Sequence, residues 1–306
     1  AYDAVRVRAA GDASWQKNPT TAFVRVAVVD SPVTQLPTFA SLSFDHAADV
    51  RPDVMRQGSA VHGTAVASVI GAPNDGVGMN GVLAGVSCIS YDLTPIAASG
   101  VIEDFDLRER LYFSVLLAGL SKAAASGARV VNLSMGEVQH GDAMIKPLAS
   151  ARKLVRKAKD VLFVMAAGNH STGETPADAA VHWPSALAIT EPNVVAVGAA
   201  FADDQTPLVN TALDLTGNGA ITLAASGDSV LASRPDGRLW LFEMTSSATP
   251  LVAGTAGLVF AVWPEAPPSD RRIPYGREDV HTRALGAAAD ALDLLHEVGL
   301  PPPPGT

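Results

Sequence analysis

Cysteine is nearly absent from this chain. Cys88 is the only one in 306 residues, so no internal disulfide can form. Its neighbours, Gly85-Val86-Ser87 and Ile89-Ser90-Tyr91, predict a strand in which a lone thiol serves as a small hydrophobe. Charge is also sparse: 17% of residues are charged, the net charge is −9, and there is no long basic tract. That balance excludes a nucleic-acid partner held by phosphate contacts. Apart from His62, the histidines are His46, His140, His170, His182, His281 and His296, and none forms a closely spaced ligand pair. No metal is therefore expected in the chemistry.

Long hydrophobic runs are missing too. Met244 to Pro264 is uncharged, but it opens with Thr245-Ser246-Ser247-Ala248-Thr249-Pro250. The apolar part, Leu251 to Trp263, is too short to span a membrane and reads as a buried core helix. The first residues, Ala1-Tyr2-Asp3-Ala4-Val5-Arg6, carry no basic segment followed by an apolar stretch, so no signal peptide is expected. A mature secreted form and a cytoplasmic one would look alike here.

What the chain does have is apolar material, 48% of its residues, enough for one large core. Runs rich in Val and Ile recur at Val24 to Val29, Val130 to Leu133, Val161 to Met165 and Val194 to Val197. Runs of this kind, bounded by Gly, Pro, Asn or Asp, predict strands of a parallel sheet buried on both faces. Helical spacing fills the gaps at His62 to Ile70, Leu107 to Ala125 and Ala143 to Ala158. The alternation predicts an α/β fold, a three-layer sandwich with helices on both faces of a mostly parallel sheet. The five bases Arg152, Lys153, Arg156, Lys157 and Lys159 are expected on the solvated face of the last of those helices. Ile221 to Leu241, broken by Gly227-Asp228 and Asp236-Gly237, suggests an antiparallel excursion, and Arg277 to Leu295 a further helix. The expected organisation is an arm over 1–20, one domain over 21–296 and a Pro-rich tail over 297–306.

In open parallel sheets ligands sit beyond the carboxyl ends of the strands. Four islands there carry chemistry. Val26-Ala27-Val28-Val29-Asp30-Ser31 delivers an acid that can hold an imidazole in one tautomer. His62-Gly63-Thr64-Ala65-Val66-Ala67-Ser68 places a general base at a helix start. Val164-Met165-Ala166-Ala167-Gly168-Asn169 ends on an amide that can donate to an oxyanion. Thr245-Ser246-Ser247-Ala248-Thr249-Pro250 puts a serine on the first turn of a helix, where its own N–H is free to be a second oxyanion donor. The order Asp, His, Ser is one of those known for such triads.

These motifs resemble the subtilase family of serine peptidases. The Asp, His and Ser motifs match at Asp30, His62 and Ser246, and Val131-Asn132-Leu133-Ser134-Met135-Gly136 resembles the family's substrate-binding strand. Ala166-Ala167-Gly168-Asn169 resembles its oxyanion segment, and Pro192 to Ala199 the strand that follows. The resemblance covers Val24 to Pro264 and implies an endopeptidase acting through an acyl-enzyme on Ser246. It implies an extended peptide or protein substrate, received by main-chain bonds along Ser134, Met135 and Gly136, by Ala166, Ala167 and Gly168, and along a second edge at Ser99, Gly100 and Val101. Glu103, Asp104 and Asp106 follow that edge and read as charges at a helix N-terminus. Two other readings use the same residues. One is a fold kept for binding with its chemistry lost; the other is a transpeptidase or peptide cyclase in which an amine replaces water.

Departures from the family pattern cluster around the nucleophile. Met244 stands where the family usually has Gly, Ser247 where it has Met, and Pro32 where it prefers Gly. A positive φ at Met244 would carry strain that Gly would not. Ser247 removes a family oxidation target. His182 precedes Trp183-Pro184, which resembles the family's aromatic-Pro pair behind the specificity pocket; His182 is read as a surface residue, with the pocket floor as its alternative, and Trp183-Pro184 as a candidate cis bond. No cofactor is expected for catalysis. Asn74-Asp75-Gly76 and Asn80-Gly81 lie where family members often hold structural calcium, though plain turn chemistry explains them equally and no ligand set can be matched.

Overall fold

The computed structural model describes residues 24–34, 36, 60–72, 78–83, 87–92, 105–138, 145–170, 178–201, 211–213, 217, 219–262, 264–265 and 267–269. The expected arm, the tail, the helix at 277–295, the edge at 99–101 and the turn at 74–76 lie outside them.

Six strands form one parallel sheet. They are β1 (Arg25–Asp30), β2 (Ser87–Asp92), β3 (Val130–Leu133), β5 (Leu162–Ala166), β7 (Val194–Ala200) and β8 (Leu223–Ser226), in the order β2-β1-β3-β5-β7-β8. Val26 to Val29 are all fully buried, and their alternation sends Val26 and Val28 to one face, Ala27 and Val29 to the other. A strand covered on both faces has no polar side to show, which is why it reads as an unbroken apolar run. Each large side chain so buried contributes roughly 1.5–3 kcal/mol.

Connection handedness assigns the helices to layers. The chain moves one way across the sheet from β1 through α1 (Val61–Gly71) to β2, then back through α2 (Phe105–Ala125) to β3 and onward through α3 (Ile145–Lys157) to β5. Right-handed crossovers running in opposite directions put their helices on opposite faces. Accordingly α1 packs with α4 (Thr245–Val262) over Val26, Val28, Val164 and Val197, while α2 and α3 cover Ala27, Val29, Val131 and Phe163. The three-layer expectation holds. No helix among the described residues is long and apolar enough to cross a membrane.

Two expectations are corrected. The excursion expected over 221–241 divides: β8 is the sixth parallel strand, and only β9 (Val230–Ser233) and β10 (Leu239–Phe242) form an antiparallel hairpin, turning at Gly237 with φ +80°. The basic face of α3 is not wholly solvated either. Arg156 Nε lies 2.8 Å and Arg152 Nε 3.3 Å from the carboxylate of Glu191, which is 2% exposed. The guanidinium groups neutralise a carboxylate that burial alone would make costly.

The sheet order reverses direction between β1 and β3. The crevice at such a switch point, beyond the strand ends, is where an open α/β sheet binds ligands. Asp30 ends β1, Ser134 follows β3 and Asn169 follows β5, so the sheet brings them to one edge.

Candidate active site

Asp30 is completely buried, and one of its oxygens takes both of its close contacts. Oδ1 accepts the Ser31 N–H at 2.7 Å and lies 2.7 Å from His62 Nδ1. A carboxylate at Nδ1 fixes the tautomer with the proton on that nitrogen and leaves Nε2 as an acceptor. Ser31 joins the pair from a second direction, because its hydroxyl accepts the N–H of Gly63, the residue after His62, at 2.8 Å. A Cβ on Gly63 would run into the Ser31 carbonyl, so only glycine lets α1 approach β1 this closely. Phe242, at the end of β10, meets the His62 ring edge-on with centroids 5.3 Å apart.

Two opposing influences act on His62. Burial, the larger single one, lowers its pKa; the charge of Asp30 and the hydrogen bond to it raise it, and together they prevail, so the pKa stands above 6.5.

The serine sits on the first turn of α4. Met244 begins that turn with its carbonyl accepting from the N–H groups of Ser247 at 3.1 Å and Ala248 at 3.3 Å. The Thr245 N–H donates to Asn169 Oδ1 at 3.2 Å, and the Thr245 hydroxyl donates to the same oxygen at 2.8 Å. Ser246 N–H is then the one donor of the turn without a partner among the described residues. Two donors on one amide oxygen also settle the orientation of Asn169: its NH2 group is turned away from Thr245 and is free to donate in the cleft. Two donors are thus offered to an anion where the helix dipole also favours one.

Met244 adopts φ +70°, so strain arises where the family usually has Gly. Ser247 is buried, and its hydroxyl donates to the Met244 carbonyl at 2.8 Å, which stitches the turn shut. The Ser246 hydroxyl donates to the Ser134 carbonyl at 3.1 Å. Donation to His62 therefore requires the hydroxyl to turn from that carbonyl, in keeping with the loose geometry of such pairs before substrate binds.

A cavity of about 330 Å³ gathers these groups, bounded by Asp30, His62, Asn169 and Ser246 on one side. Ser134, Met135, Gly136, Ala166 and Gly168 form its other walls. Ala167, expected beside them, is instead fully buried in the core behind β5. His182 is the second correction in this region: it is 5% exposed and lines the cavity, not the surface. Trp183-Pro184 is cis. Motif reasoning missed the supporting contacts of Ser31, Thr245 and Phe242. Thr245 had a signal in its place beside the nucleophile; Phe242 had none, because its contact depends on how the β9–β10 hairpin folds back. Among the described residues no three His, Cys, Asp or Glu side chains gather as a metal site.

An α/β sandwich here gathers an acid, an imidazole, a serine and an amide around one crevice, the groups that a serine acyl-transfer site requires. The subtilase family model matches residues 22–290, and the chain belongs to that family. Subtilisin E of Bacillus subtilis is 26% identical over 257 residues, covering 82% of this chain and 60% of its own length. Subtilisin Savinase of Lederbergia lenta is 29% identical over 256 residues, covering 82% and 81%. The chain thus spans less than two thirds of several subtilisins it matches. Among solved structures, MycP1 from Mycobacterium smegmatis superposes with a TM-score of 0.70 at 23% identity, over 95% of this chain and 83% of that one. The self-cleaved protease domain of PatA gives 0.63 at 26%, over 90% and 97%.

Proposed function

We propose that this chain is a serine endopeptidase in which Asp30, His62 and Ser246 form the triad and Asn169, with the Ser246 N–H, holds the oxyanion. The observation that carries this reading is the meeting of the Asp30–His62 pair, the Ser246 hydroxyl and both amide donors on one cavity. A substrate lies extended along Ser134 to Gly136, bonded through its main chain. Its N–H takes the Ser134 carbonyl, the acceptor now used by Ser246, and the freed hydroxyl turns to His62.

Ser246 Oγ then attacks the scissile carbonyl carbon while its proton passes to His62 Nε2. Negative charge develops on the carbonyl oxygen between Asn169 Nδ2 and the Ser246 N–H. As the tetrahedral species collapses, the C–N bond breaks and His62 returns the proton to the leaving amine. Water, deprotonated by His62, attacks the acyl ester and regenerates Ser246 with release of the acid. Asp30 stays ionised throughout and stabilises the imidazolium. No cofactor enters any step.

The test is digestion of an unstructured protein in water enriched in oxygen-18, read by mass spectrometry. New carboxyl termini carrying the label, absent with Ser246→Ala, are expected. Products of unchanged total composition would replace hydrolysis with transpeptidation, and intact substrate would leave a binding module.

A further inference from the structure

His182 occupies a place in the cleft that the proposed mechanism does not use. It opens β6 (His182–Trp183), which pairs antiparallel with β4 (Glu137–Val138), with Val138 opposite His182 and Glu137 opposite Trp183. That pairing draws the ring between the two substrate-side segments. A Cβ added to Gly136 would come within 2.6 Å of His182 Cε1, and one added to Gly168 within 2.6 Å of Nε2. Only glycine at both positions leaves room for the imidazole, and Gly168, at φ +111°, is also held in backbone that side chains avoid. The ring therefore lies between Gly136 and Gly168, and His182 lines the cavity together with Ser134 and Ala166.

The ring's two nitrogens differ in surroundings. Nδ1 lies 3.2 Å from Ser185 Oγ, and that hydroxyl is 3.3 Å from the His182 carbonyl, so Nδ1 is engaged inside its own turn. Nε2 has no bond to any described residue, and the side chain that carries it lines the cavity. Burial lowers the pKa of His182 to about 4, so near neutral pH the ring is uncharged and holds one donor and one acceptor. Without charge, it gives an ammonium or a carboxylate no ion pair to offset desolvation. An aliphatic side chain would bury Nε2 without a partner. A carboxamide satisfies Nε2 in either tautomer, because it offers both an N–H and a C=O.

We propose that the His182 imidazole is the floor of the pocket for the side chain on the acyl side of the cut bond, and that it selects a carboxamide there, glutamine or asparagine. This rests on the peptidase reading of the same cleft. Glutamine and methionine have similar length, which makes them the decisive pair.

The experiment compares cleavage of peptides that differ only in carrying Gln, Met, Leu, Glu or Lys at that position. Kcat/KM for Gln is expected to exceed that for Met by about tenfold, the worth of one hydrogen bond made at the transition state. His182→Leu is expected to bring the ratio to one or invert it. Because a core variant can fail to fold, Ser185→Ala supplies a second perturbation, which loosens the ring without removing it and is expected to shrink the ratio. Equal rates for Gln and Met in the parent protein, or a ratio unmoved by either variant, would overturn the proposal while leaving the peptidase reading intact. If no peptide is cleaved, that reading fails by itself, and the pocket is still read by binding: Ser246→Ala is expected to hold a peptide ending in Gln more tightly than its Met counterpart, and equal affinity would refute the selection.

Discussion

At the end of β1, acid and base are joined through backbone free of positive φ among the described residues, whereas the turn carrying Ser246 passes through Met244 at φ +70°. Asp30 and His62 already hold the contact that the proposed mechanism uses, at 2.7 Å, while the Ser246 hydroxyl points to a carbonyl 3.1 Å away. The first half is preorganised. The second is held by compensating bonds, Ser247 to Met244 and Thr245 to Asn169. The contrast suggests that strain in a nucleophile turn is tolerated when hydrogen bonds over-determine it.

Breaking the preorganised half is expected to cost most. Asp30→Asn should lower turnover by about 10⁴, the size found when the acid of a serine triad is neutralised with its geometry intact. Steady-state kinetics on any cleaved peptide measures it. Removing the shared amide is next: Asn169→Ala should cost about 10²–10³ in kcat, the range known for this donor in a subtilisin, with KM little changed.

A pH profile reports on the base. His62 must be neutral to accept the serine proton, so kcat/KM should rise with pH through a midpoint above 6.5. Its effect on stability has the opposite sign. A pKa raised by folding gives stability that is fully present below about 6.5 and is lost as pH climbs through the folded value. A midpoint at or below 6.5 would mean that burial outweighs Asp30.

The smallest effect is expected at the strained turn. Met244→Gly removes the left-handed penalty and should raise stability by about 1 kcal/mol, read as a higher denaturant midpoint at unchanged slope. A drop would show that the half-buried Met side chain contributes more through packing than its backbone loses.

Much of this was legible in sequence for a definable reason. Strands buried on both faces write themselves as apolar runs, and the groups at their carboxyl ends follow at once: Asp30, Ser134 and Asn169. The Leu223–Ser226 segment was not legible as a parallel strand, because Leu-Ala-Ala-Ser followed closely by a turn reads equally as one arm of a hairpin. The burial of His182 is not legible in sequence, because it depends on Gly136 and Gly168, distant in sequence, leaving space for the ring. The strain at Met244 could be anticipated only from the Gly the family keeps there. The direction of the Ser246 hydroxyl could not, since a serine rotamer leaves no mark on composition or spacing.

The proposed mechanism makes Ser246 a nucleophile activated by His62. Intact-mass spectrometry after treatment with a fluorophosphonate tests it most directly. One adduct is expected, mapped to Ser246, absent in Ser246→Ala and formed far more slowly in His62→Ala. No adduct on the folded parent protein, or equal rates with and without His62, would contradict it.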